Sequence, residues 1–451
     1  MEDTIAALGT APGKAALAVL RLSGPDTFKI TDRVFRAKCG LPAGERRPGR
    51  LYFGELLDKT GAVVDLCLAV VSRAPMSYTG EDTAELHCHG SPALAAVALE
   101  SLFAAGARQA RAGEFTKRAF LNGKKDLTEA EAVADMVDAA SPAALRVAAA
   151  QLGGNVSGRV QEVYEVLLEA SSRFGAAVDF PDDGVEPWET RELLEKLRGA
   201  EEKLRGLLAT YDRGRFLNAG VPTAIVGKPN VGKSTLLNAL LGYDRAIVTA
   251  APGTTRDTVS ETAAISGVTL RLCDTAGLRE TADPIEGEGV RRARNAARDA
   301  ALVLAVLDSS RPMEPEDHET LELLRAAPAG ALIINKTDLP RALEMPEWSG
   351  PAFELSAKSG RGLDSLRDWI GRSFGLSDSS GAVLTNARQA ECTSRALEAV
   401  SAAVRALEEG VTEDAALTIL EEGTDAVASI LGKNLREDLV SDIFSRFCVG
   451  K

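Results

Sequence analysis

The chain has 451 residues, of which 45% are hydrophobic and 26% are charged, a composition typical of soluble globular proteins. No apolar run approaches the roughly 20 residues of a membrane-spanning helix, and residues 1–11 do not resemble a secretory signal. The 52 basic and 65 acidic side chains give a net charge of −13, which excludes a uniformly basic nucleic-acid-binding surface. We therefore expect a cytoplasmic protein of about three domains, in which RNA binding requires a local basic patch or a basic partner.

The first 120 residues alternate short apolar runs with Gly and Pro turns, which is typical of a mixed α/β domain. The apolar runs predict strands at residues 16–22, 51–57 and 66–71. The longer segments 92–106 and 113–121 are predicted helices.

From residue 121 to 218 the pattern indicates long helices. Apolar residues that recur every three or four positions define one helix face, namely Leu193, Leu197, Ala200, Leu204, Leu207 and Leu208. The helical pattern returns from 378 to 451, where a second apolar face carries Leu397, Val400, Val404 and Leu407.

Residues 219–377 differ from both flanks, because short apolar strands alternate with helical stretches as in a parallel doubly wound sheet. The predicted strands span residues 221–226, 270–273, 301–307, 332–334 and 353–355. The predicted fold is multidomain: an α/β domain (1–120), an all-α helical domain in two parts (121–218 and 378–451) and an inserted α/β domain (219–377). Two separate helical bundles would give the same pattern, so that alternative stays open.

A phosphate-binding motif follows the first strand of the inserted domain. Residues 227–234, Gly-Lys-Pro-Asn-Val-Gly-Lys-Ser, match G-x-x-x-x-G-K-[ST]. Gly227 and Gly232 allow backbone N–H groups to surround phosphate oxygens. Lys233 supplies a positive charge to the β and γ phosphates, and Ser234 supplies a hydroxyl ligand for Mg²⁺. The motif predicts a P-loop nucleoside-triphosphate site.

Motifs that select guanine follow later strands. In the run Asn335-Lys336-Thr-Asp338, the Asp338 carboxylate would accept hydrogen bonds from the N1–H and exocyclic amine of guanine. Adenine has no such pair of donors, so the motif favours GTP. The run Ser356-Ala357-Lys358 matches the loop that supports the base.

Two further motifs concern Mg²⁺ and the γ-phosphate. In Asp274-Thr-Ala-Gly277, Asp274 would hold Mg²⁺ through water and the Gly277 N–H would contact the γ-phosphate. The pair Thr254-Thr255 resembles a switch whose Thr255 completes the Mg²⁺ shell. Together with the preceding motifs, these resemble the translation-factor-like GTPase superfamily.

The residue that orients the attacking water is not evident. Many GTPases place Gln directly after Asp-x-x-Gly, but this chain has Leu278 there, and leucine cannot orient water. Glu286, in the acidic run 283–288, is the candidate, and a solvated surface acid is the alternative interpretation.

Several motifs resemble the MnmE (TrmE) family of tRNA modification GTPases, over essentially the whole chain. They are the runs 3–7, 20–24, 77–82, 112–116, 118–124 and 447–451. The run His89-Gly-Ser-Pro92 departs from the more usual His-Gly-Gly-Pro of the family.

The resemblance implies an N-terminal folate-binding and dimerisation domain and a GTPase that acts with the FAD protein MnmG. The family adds an aminomethyl or carboxymethylaminomethyl group to carbon five of the wobble uridine of certain tRNAs. Methylene-tetrahydrofolate is the one-carbon donor, and glycine or ammonium supplies the nitrogen.

The resemblance also implies ligand-contacting residues. The folate would contact Arg21, Glu81, Lys124 and Lys451. A catalytic K⁺ would be held by Asn230, Thr249, Ala251 and Thr254, where it neutralises charge near the β–γ bridge. Mg²⁺ would be held by Ser234 and Thr255. The catalytic set would be Glu286, Lys233 and Asp274, of which Glu286 would orient the attacking water. The GTP-contacting set is Asn230, Val231, Gly232, Lys233, Ser234, Thr235, Thr249, Thr254, Thr255, Asp274, Gly277, Asn335, Lys336, Asp338, Ser356, Ala357 and Lys358.

The cysteines and histidines suggest no structural metal site. The six cysteines are scattered without a Cys-x-x-Cys pair, so reduced thiols are expected. On a strand, His87 and His89 would face one side and Cys88 the other, and no further ligand completes a zinc set. Cys448 is interpreted as a small residue that helps the tail enter the folate site, with a catalytic thiol as the alternative.

Two other functions remain open from sequence. A ribosome-assembly GTPase without folate chemistry has a similar G domain, although such proteins commonly add an RNA-binding module or a second G domain. A folate-dependent one-carbon transferase with a regulatory G domain differs only in where the chemistry occurs.

Overall fold

The computed structural model describes residues 3–179, 189–242, 261–272, 294–375, 381–434, 437–445 and 447–450. The chain forms two compact units, one of residues 1–134 with 425–451 and one of residues 135–424. Within the described ranges, none of the helices is both long enough and apolar enough to cross a membrane.

The first unit is built on a sheet. Its described strands are β1 (Ile5–Leu8), β2 (Leu17–Ser23), β3 (Phe35–Ala37), β4 (Tyr52–Leu57), β5 (Val63–Ser72), β6 (Thr83–His89) and β7 (Arg108–Gln109). They lie in the order β3-β4-β5-β6-β2-β1-β7, and the pairing is antiparallel except between β1 and β7. The three predicted strands of this region are confirmed as β2, β4 and β5.

Helices cover one face of this sheet. They are α1 (Thr27–Val34) and α2 (Pro92–Ala104), which share one apolar core with the sheet. Side chains alternate along β2, so Leu20 and Leu22 enter this core while Arg21 lies on the opposite face. That opposite face carries the N-terminal candidate site.

A smaller helical cluster completes the first unit. It consists of α3 (Glu114–Leu121), α4 (Leu127–Asp138) and the last helix of the chain, Glu437–Ser445. Phe444 lies 6.1 Å from the ring of Phe120 and 5.1 Å from the ring of Phe447. These aromatic contacts bring the C-terminal tail onto the first unit.

The second unit contains a helical bundle. Its helices are α5 (Pro142–Leu152), α6 (Asn155–Asp179), α7 (Thr190–Leu208), α8 (Tyr211–Ala219), then α12 (Ala387–Glu408) and α13 (Glu413–Leu431). The predicted face of α7 is buried at Leu193, Leu197 and Leu204, and α7 packs against α12. Helices from both sides of the inserted domain therefore pack together, whereas the alternative interpretation of two separate bundles would keep them apart.

The inserted domain has a doubly wound sheet. Its described strands are β8 (Val221–Val226), β9 (Glu261–Ile265), β10 (Val268–Leu272), β11 (Leu302–Asp308), β12 (Gly330–Asn335) and β13 (Ala352–Glu354). They lie in the order β13-β12-β11-β8-β10-β9, parallel except for the antiparallel pair β9 and β10. The helices α9 (Lys233–Leu241), α10 (Pro315–Arg325) and α11 (Leu363–Phe374) alternate with them. The predicted fold class is confirmed. Because the carboxyl ends of parallel strands lie at one edge of the sheet, the motifs that follow these strands lie there too.

Candidate functional site

The phosphate loop has the backbone that its glycines require. Gly227 has φ +150°, and a Cβ there would lie 2.5 Å from the carbonyl oxygen of Val306. Gly232 has φ +99°, and a Cβ there would lie 2.3 Å from Nδ2 of Asn335. Only glycine fits both positions. The loop connects β8 to α9, which is the predicted strand–loop–helix context.

Lys233 occupies the inside of this loop. Its Nζ donates to the carbonyl oxygens of Gly227 (2.7 Å) and Lys228 (2.8 Å). Burial lowers the pKa of this ammonium, so anionic phosphate oxygens would stabilise its charged form. The arrangement fits a nucleotide phosphate.

Asn335 joins the phosphate loop to the base-binding loop. Its Nδ2 donates to the carbonyl oxygen of Val231 (2.8 Å), and its Oδ1 accepts from the N–H of Ala357 (2.9 Å). The side chain is 2% exposed, so both bonds are shielded from water. Three of the predicted motifs are thereby fixed to one another.

Asp338 is an exposed carboxylate beside this junction. The hydroxyl of Ser356 donates to it and holds the pKa of Asp338 below its usual value, and the positive charges of Lys358 and Lys336 act in the same direction. An ionised acceptor supported by a second loop is suited to the two N–H donors of guanine.

Asp308, at the end of β11, was missed by sequence analysis. Its carboxylate accepts from Nζ of Lys336 (2.6 Å) and from the N–H and hydroxyl of Ser310 (2.9 and 2.7 Å). Burial raises the pKa of Asp308, but these hydrogen bonds outweigh it, so the pKa lies below its ordinary value. Its position before Ser309-Ser310 at a strand end is a signal that could have identified it.

Lys228, inside the phosphate loop, was also missed. Its Nζ lies 2.8 Å from Oε2 of Glu314 and 2.8 Å from Oδ2 of Asp317, both at the start of α10. The side chains of Lys228 and Asp317 are only 8% and 3% exposed. The pair therefore anchors the phosphate loop to α10, and the ammonium of Lys228 is engaged with carboxylates.

Replacing Lys228 with methionine is expected to destabilise the inserted domain by about 3 kcal/mol, because Asp317 would remain buried without its cation. Urea unfolding measures this change. The double variant Lys228→Met/Asp317→Asn should recover part of the loss, whereas Lys228→Arg should retain most of the stability. Equal stability of Lys228→Met and the wild type would contradict an anchoring role.

Three predicted residues lie in the phosphate loop or at the start of α9. Asn230 lies in the phosphate loop with φ +64°, and Ser234 and Thr235 begin α9 directly after Lys233. The hydroxyl of Ser234 stays a predicted ligand of Mg²⁺. The remaining predicted residues lie outside the described part of the chain: Thr249, Ala251, Thr254, Thr255, Asp274, Gly277, Glu286 and Lys451.

The first unit holds a second site, centred on Glu81. Oε2 of Glu81 accepts from the hydroxyl of Ser23 (2.7 Å) and from Nη1 of Arg118 (3.0 Å). Arg118 is fully buried and also donates to Oδ1 of Asp3 (2.7 Å) and Oε1 of Glu114 (3.2 Å). This network, which sequence analysis missed, fixes the Glu81 carboxylate.

Arg21 lies two residues from Ser23 on the same face of β2. Its Nε donates to Oε1 of Glu85 (3.0 Å), and its Nη1 donates to the carbonyl oxygen of Gly450 (3.3 Å). This contact brings Gly450 of the C-terminal tail to Arg21.

The tail is held by backbone contacts. Val449 forms an antiparallel bridge with Ala112, and the N–H of Gly113 donates to the carbonyl oxygen of Cys448 (3.2 Å). Lys124 packs on Gly80, because a Cβ at Gly80 would lie 3.2 Å from its Cγ. Arg21, Glu81 and Lys124 therefore belong to one region of the first unit.

The described cysteines and histidines differ in burial. Cys39, Cys67, Cys88, Cys392 and Cys448 are free. Burial raises the pKa of Cys67 to about 12 and that of Cys88 to about 11, which keeps both protonated. Cys88 is buried while His89 is exposed and its Nδ1 lies 2.7 Å from Oδ1 of Asp65, so the predicted alternation along this strand is confirmed. Across the described ranges, no group of His, Cys, Asp and Glu could hold a metal ion.

The chain is similar to known proteins over its whole length. The profile "GTP-binding protein TrmE N-terminus" matches residues 4–124, and "MnmE helical domain" matches residues 127–448. A solved structure of Era in complex with MgGDPNP and 16S ribosomal RNA nucleotides covers 39% of this chain and 65% of that chain, at 23% identity and a TM-score of 0.25. That likeness is too weak to carry any inference.

Relatives called "tRNA modification GTPase MnmE" are similar from end to end. The relative from Roseiflexus is 40% identical over 465 residues, covering 100% of this chain and 99% of the relative. Those from Geobacter sulfurreducens and Moorella thermoacetica are each 41% identical, covering 100% of both chains. With two matching family profiles and this coverage, the chain belongs to the MnmE family of tRNA modification GTPases.

Proposed function

We propose that this protein is the GTP-hydrolysing component of a system that modifies carbon five of the wobble uridine in tRNA. It would add an aminomethyl or carboxymethylaminomethyl group together with the FAD protein MnmG. The observation that carries this proposal is the end-to-end similarity to relatives called tRNA modification GTPase. A second fixed polar site, in the first unit of the same chain, supports it.

In the inserted domain, the chain's own residues bind and orient GTP. Lys233 binds the β and γ phosphates, Ser234 and Thr255 hold Mg²⁺, and Asp338 binds guanine. Asn230, Thr249, Ala251 and Thr254 would hold K⁺, which would supply positive charge to the phosphates during hydrolysis. Hydrolysis is therefore expected to be stimulated by K⁺. Asp274, Gly277 and Glu286 would complete the site, and these three residues are outside the described part of the chain.

In the first unit, Arg21, Glu81, Lys124 and Lys451 bind a reduced folate. The fixed carboxylate of Glu81 suits the N–H edge of the pterin, and the cations suit the glutamate tail. The bound folate supplies the one-carbon unit, and this chain's residues bind and orient it. Cys448 has the position of a tail residue beside the site, and its thiol is exposed.

The same unit is proposed to form a homodimer. On the sheet face opposite the helices, Phe53, Leu66 and Leu68 are 51%, 49% and 36% exposed. These side chains follow the two-residue period of β4 and β5, so they form an apolar surface that a second copy would bury. The predicted domain boundaries, 1–120, 121–218, 219–377 and 378–451, and a cytoplasmic location belong to the same proposal.

Calorimetric titration of the full chain with 5-formyl-tetrahydrofolate tests the folate part. We expect specific binding by the wild type and at least about a tenfold weaker binding by Arg21→Ala, because a cation and the contact with the tail are lost. Arg36→Ala is the matched control, since Arg36 is exposed on β3 at the opposite end of the sheet.

The outcomes separate the two candidate functions. A ribosome-assembly GTPase would hydrolyse GTP without binding folate. Absence of heat on folate titration, in a folded protein that hydrolyses GTP, would leave that alternative in place and contradict the folate proposal. An equal loss in Arg21→Ala and Arg36→Ala would remove Arg21 from the site.

A further inference from the structure

A basic segment of the first unit is used by neither the GTP site nor the folate site. It runs from the end of α1 through β3 and along the connection to β4, in a chain whose net charge is −13. Within residues 33–50 the acidic residue is Glu45, and the six basic residues are Arg33, Arg36, Lys38, Arg46, Arg47 and Arg50. The segment is therefore a local exception to the acidic character of the chain.

The connection is held in one conformation by Arg46, which is 1% exposed. Its Nη2 lies 3.3 Å from Oδ1 of Asp32, its Nε donates to the carbonyl oxygen of Leu41 (3.1 Å), and its guanidinium lies 5.1 Å from the ring centre of Phe35. Asp32 also accepts from the N–H of Ala43 (2.8 Å). The charge of Arg46 is thus used internally, to fix the loop.

Three neighbouring arginines point their charges outward. We call Arg47, Arg50 and Arg73 the arginine cluster. The N–H of Arg47 donates to the hydroxyl of Tyr52 (2.8 Å), the guanidinium of Arg50 lies 5.7 Å from the Tyr52 ring, and Nη2 of Arg73 donates to the carbonyl oxygen of Gly44. All three are exposed, and none forms an ion pair with a carboxylate of the described residues.

The chemistry of the cluster fits phosphate. Arginine presents a planar fork of N–H donors that matches phosphate oxygens and loses less hydration than lysine on binding. An RNA strand carries a phosphate at every nucleotide, so it can neutralise three fixed guanidiniums without any particular base sequence. A protein partner would need carboxylates at three matching positions.

We propose that the arginine cluster binds the phosphate backbone of the tRNA substrate, an inference that rests on the proposed function. Glu45, which precedes Arg46 and Arg47 in sequence, is the acidic residue of the same segment and opposes that binding. The cluster supplies the local basic patch that an acidic chain requires for weak, salt-sensitive contact with RNA.

Fluorescence anisotropy of labelled tRNA with the full-length protein, over a series of KCl concentrations, tests this. We expect the triple variant Arg47→Gln/Arg50→Gln/Arg73→Gln to bind tRNA at least about tenfold more weakly. The plot of log affinity against log KCl concentration should be less steep, by the equivalent of about two to three phosphate contacts. Glu45→Gln should bind several-fold more tightly than the wild type. GTP hydrolysis and folate binding should be unchanged in both variants.

The matched control is Arg146→Gln/Arg159→Gln/Arg213→Gln, which removes three exposed arginines from helices of the second unit and changes the net charge equally. An equal loss of affinity in the two triple variants would show a net-charge effect and overturn the inference. So would unchanged tRNA affinity with loss of MnmG binding, which would assign the cluster to an acidic protein surface.

Failure of the proposed function has a different result. Wild-type protein that supports no wobble-uridine modification in cells would refute that function. Wild-type modification that survives in the cluster triple variant, with unchanged tRNA affinity, would refute the cluster alone.

Discussion

Replacing Asp338 with asparagine is expected to weaken GTP binding by about 100-fold or more and to create affinity for xanthosine triphosphate. In the proposed site the carboxylate would accept from both the N1–H and the exocyclic amine of guanine, and an asparagine side chain cannot accept both bonds. Xanthine carries a carbonyl oxygen in place of that amine, so the asparagine NH₂ can donate to it. The nucleotide preference should therefore reverse, with the phosphate contacts left intact.

Titration with GTP and with xanthosine triphosphate, in the wild type and the variant, measures this reversal. Asp364→Asn is the matched control, because Asp364 is an exposed carboxylate, 92% exposed, in the first turn of α11. It should bind both nucleotides as the wild type does. If Asp338→Asn still preferred GTP, base recognition would have to lie in residues other than the predicted loop.

The local structure of this chain was largely predictable from sequence. Periods of two and of three to four residues follow from strand and helix geometry, so the predicted bounds of β8 coincide with the observed Val221–Val226. Gly227 and Gly232 were identified because their spacing to Lys233 is fixed by phosphate chemistry. Both adopt the backbone that the motif requires.

The contacts that hold the two sites were not predictable in this way. Asn335 was identified as a nucleotide residue, but its bond to the carbonyl of Val231 joins residues 104 positions apart. The ion pair of Lys228 with Asp317 spans 89 positions. Periodicity predicts which face of an element a side chain lies on, but not which distant residue it contacts. Such pairs can be identified only once the order of the strands in the sheet is known.

At the N-terminal site, too, the motif residue was predicted and the contacts that hold it were not. Glu81 was identified from its motif, whereas the buried position of Arg118, which fixes Glu81, was not predicted. Burying its charge is costly, and Asp3, Glu81 and Glu114 compensate for that cost from three separate segments. Likewise, the bridge between Ala112 and Val449 depends on the tail reaching the first unit, which no local pattern encodes.

Replacing Glu286 with alanine is expected to lower the GTP turnover number by about 100-fold or more while GTP affinity changes by no more than about twofold. The loss follows from the role that the family resemblance implies for Glu286, which would orient the attacking water through a bridging water, a task that Leu278 cannot perform. Affinity is preserved because the phosphates and base are bound by other residues. Single-turnover hydrolysis and nucleotide titration separate the two effects.

The defect of Glu286→Ala should persist in KCl as well as in NaCl. A K⁺ held by Asn230, Thr249, Ala251 and Thr254, as proposed, would neutralise charge that develops on the phosphates, but it would not place the water for attack. Glu288→Ala is the matched control, since it removes a carboxylate two residues further along the same acidic run. Full turnover in Glu286→Ala, or an equal loss in Glu288→Ala, would remove Glu286 from the mechanism and leave the orientation of water to another group.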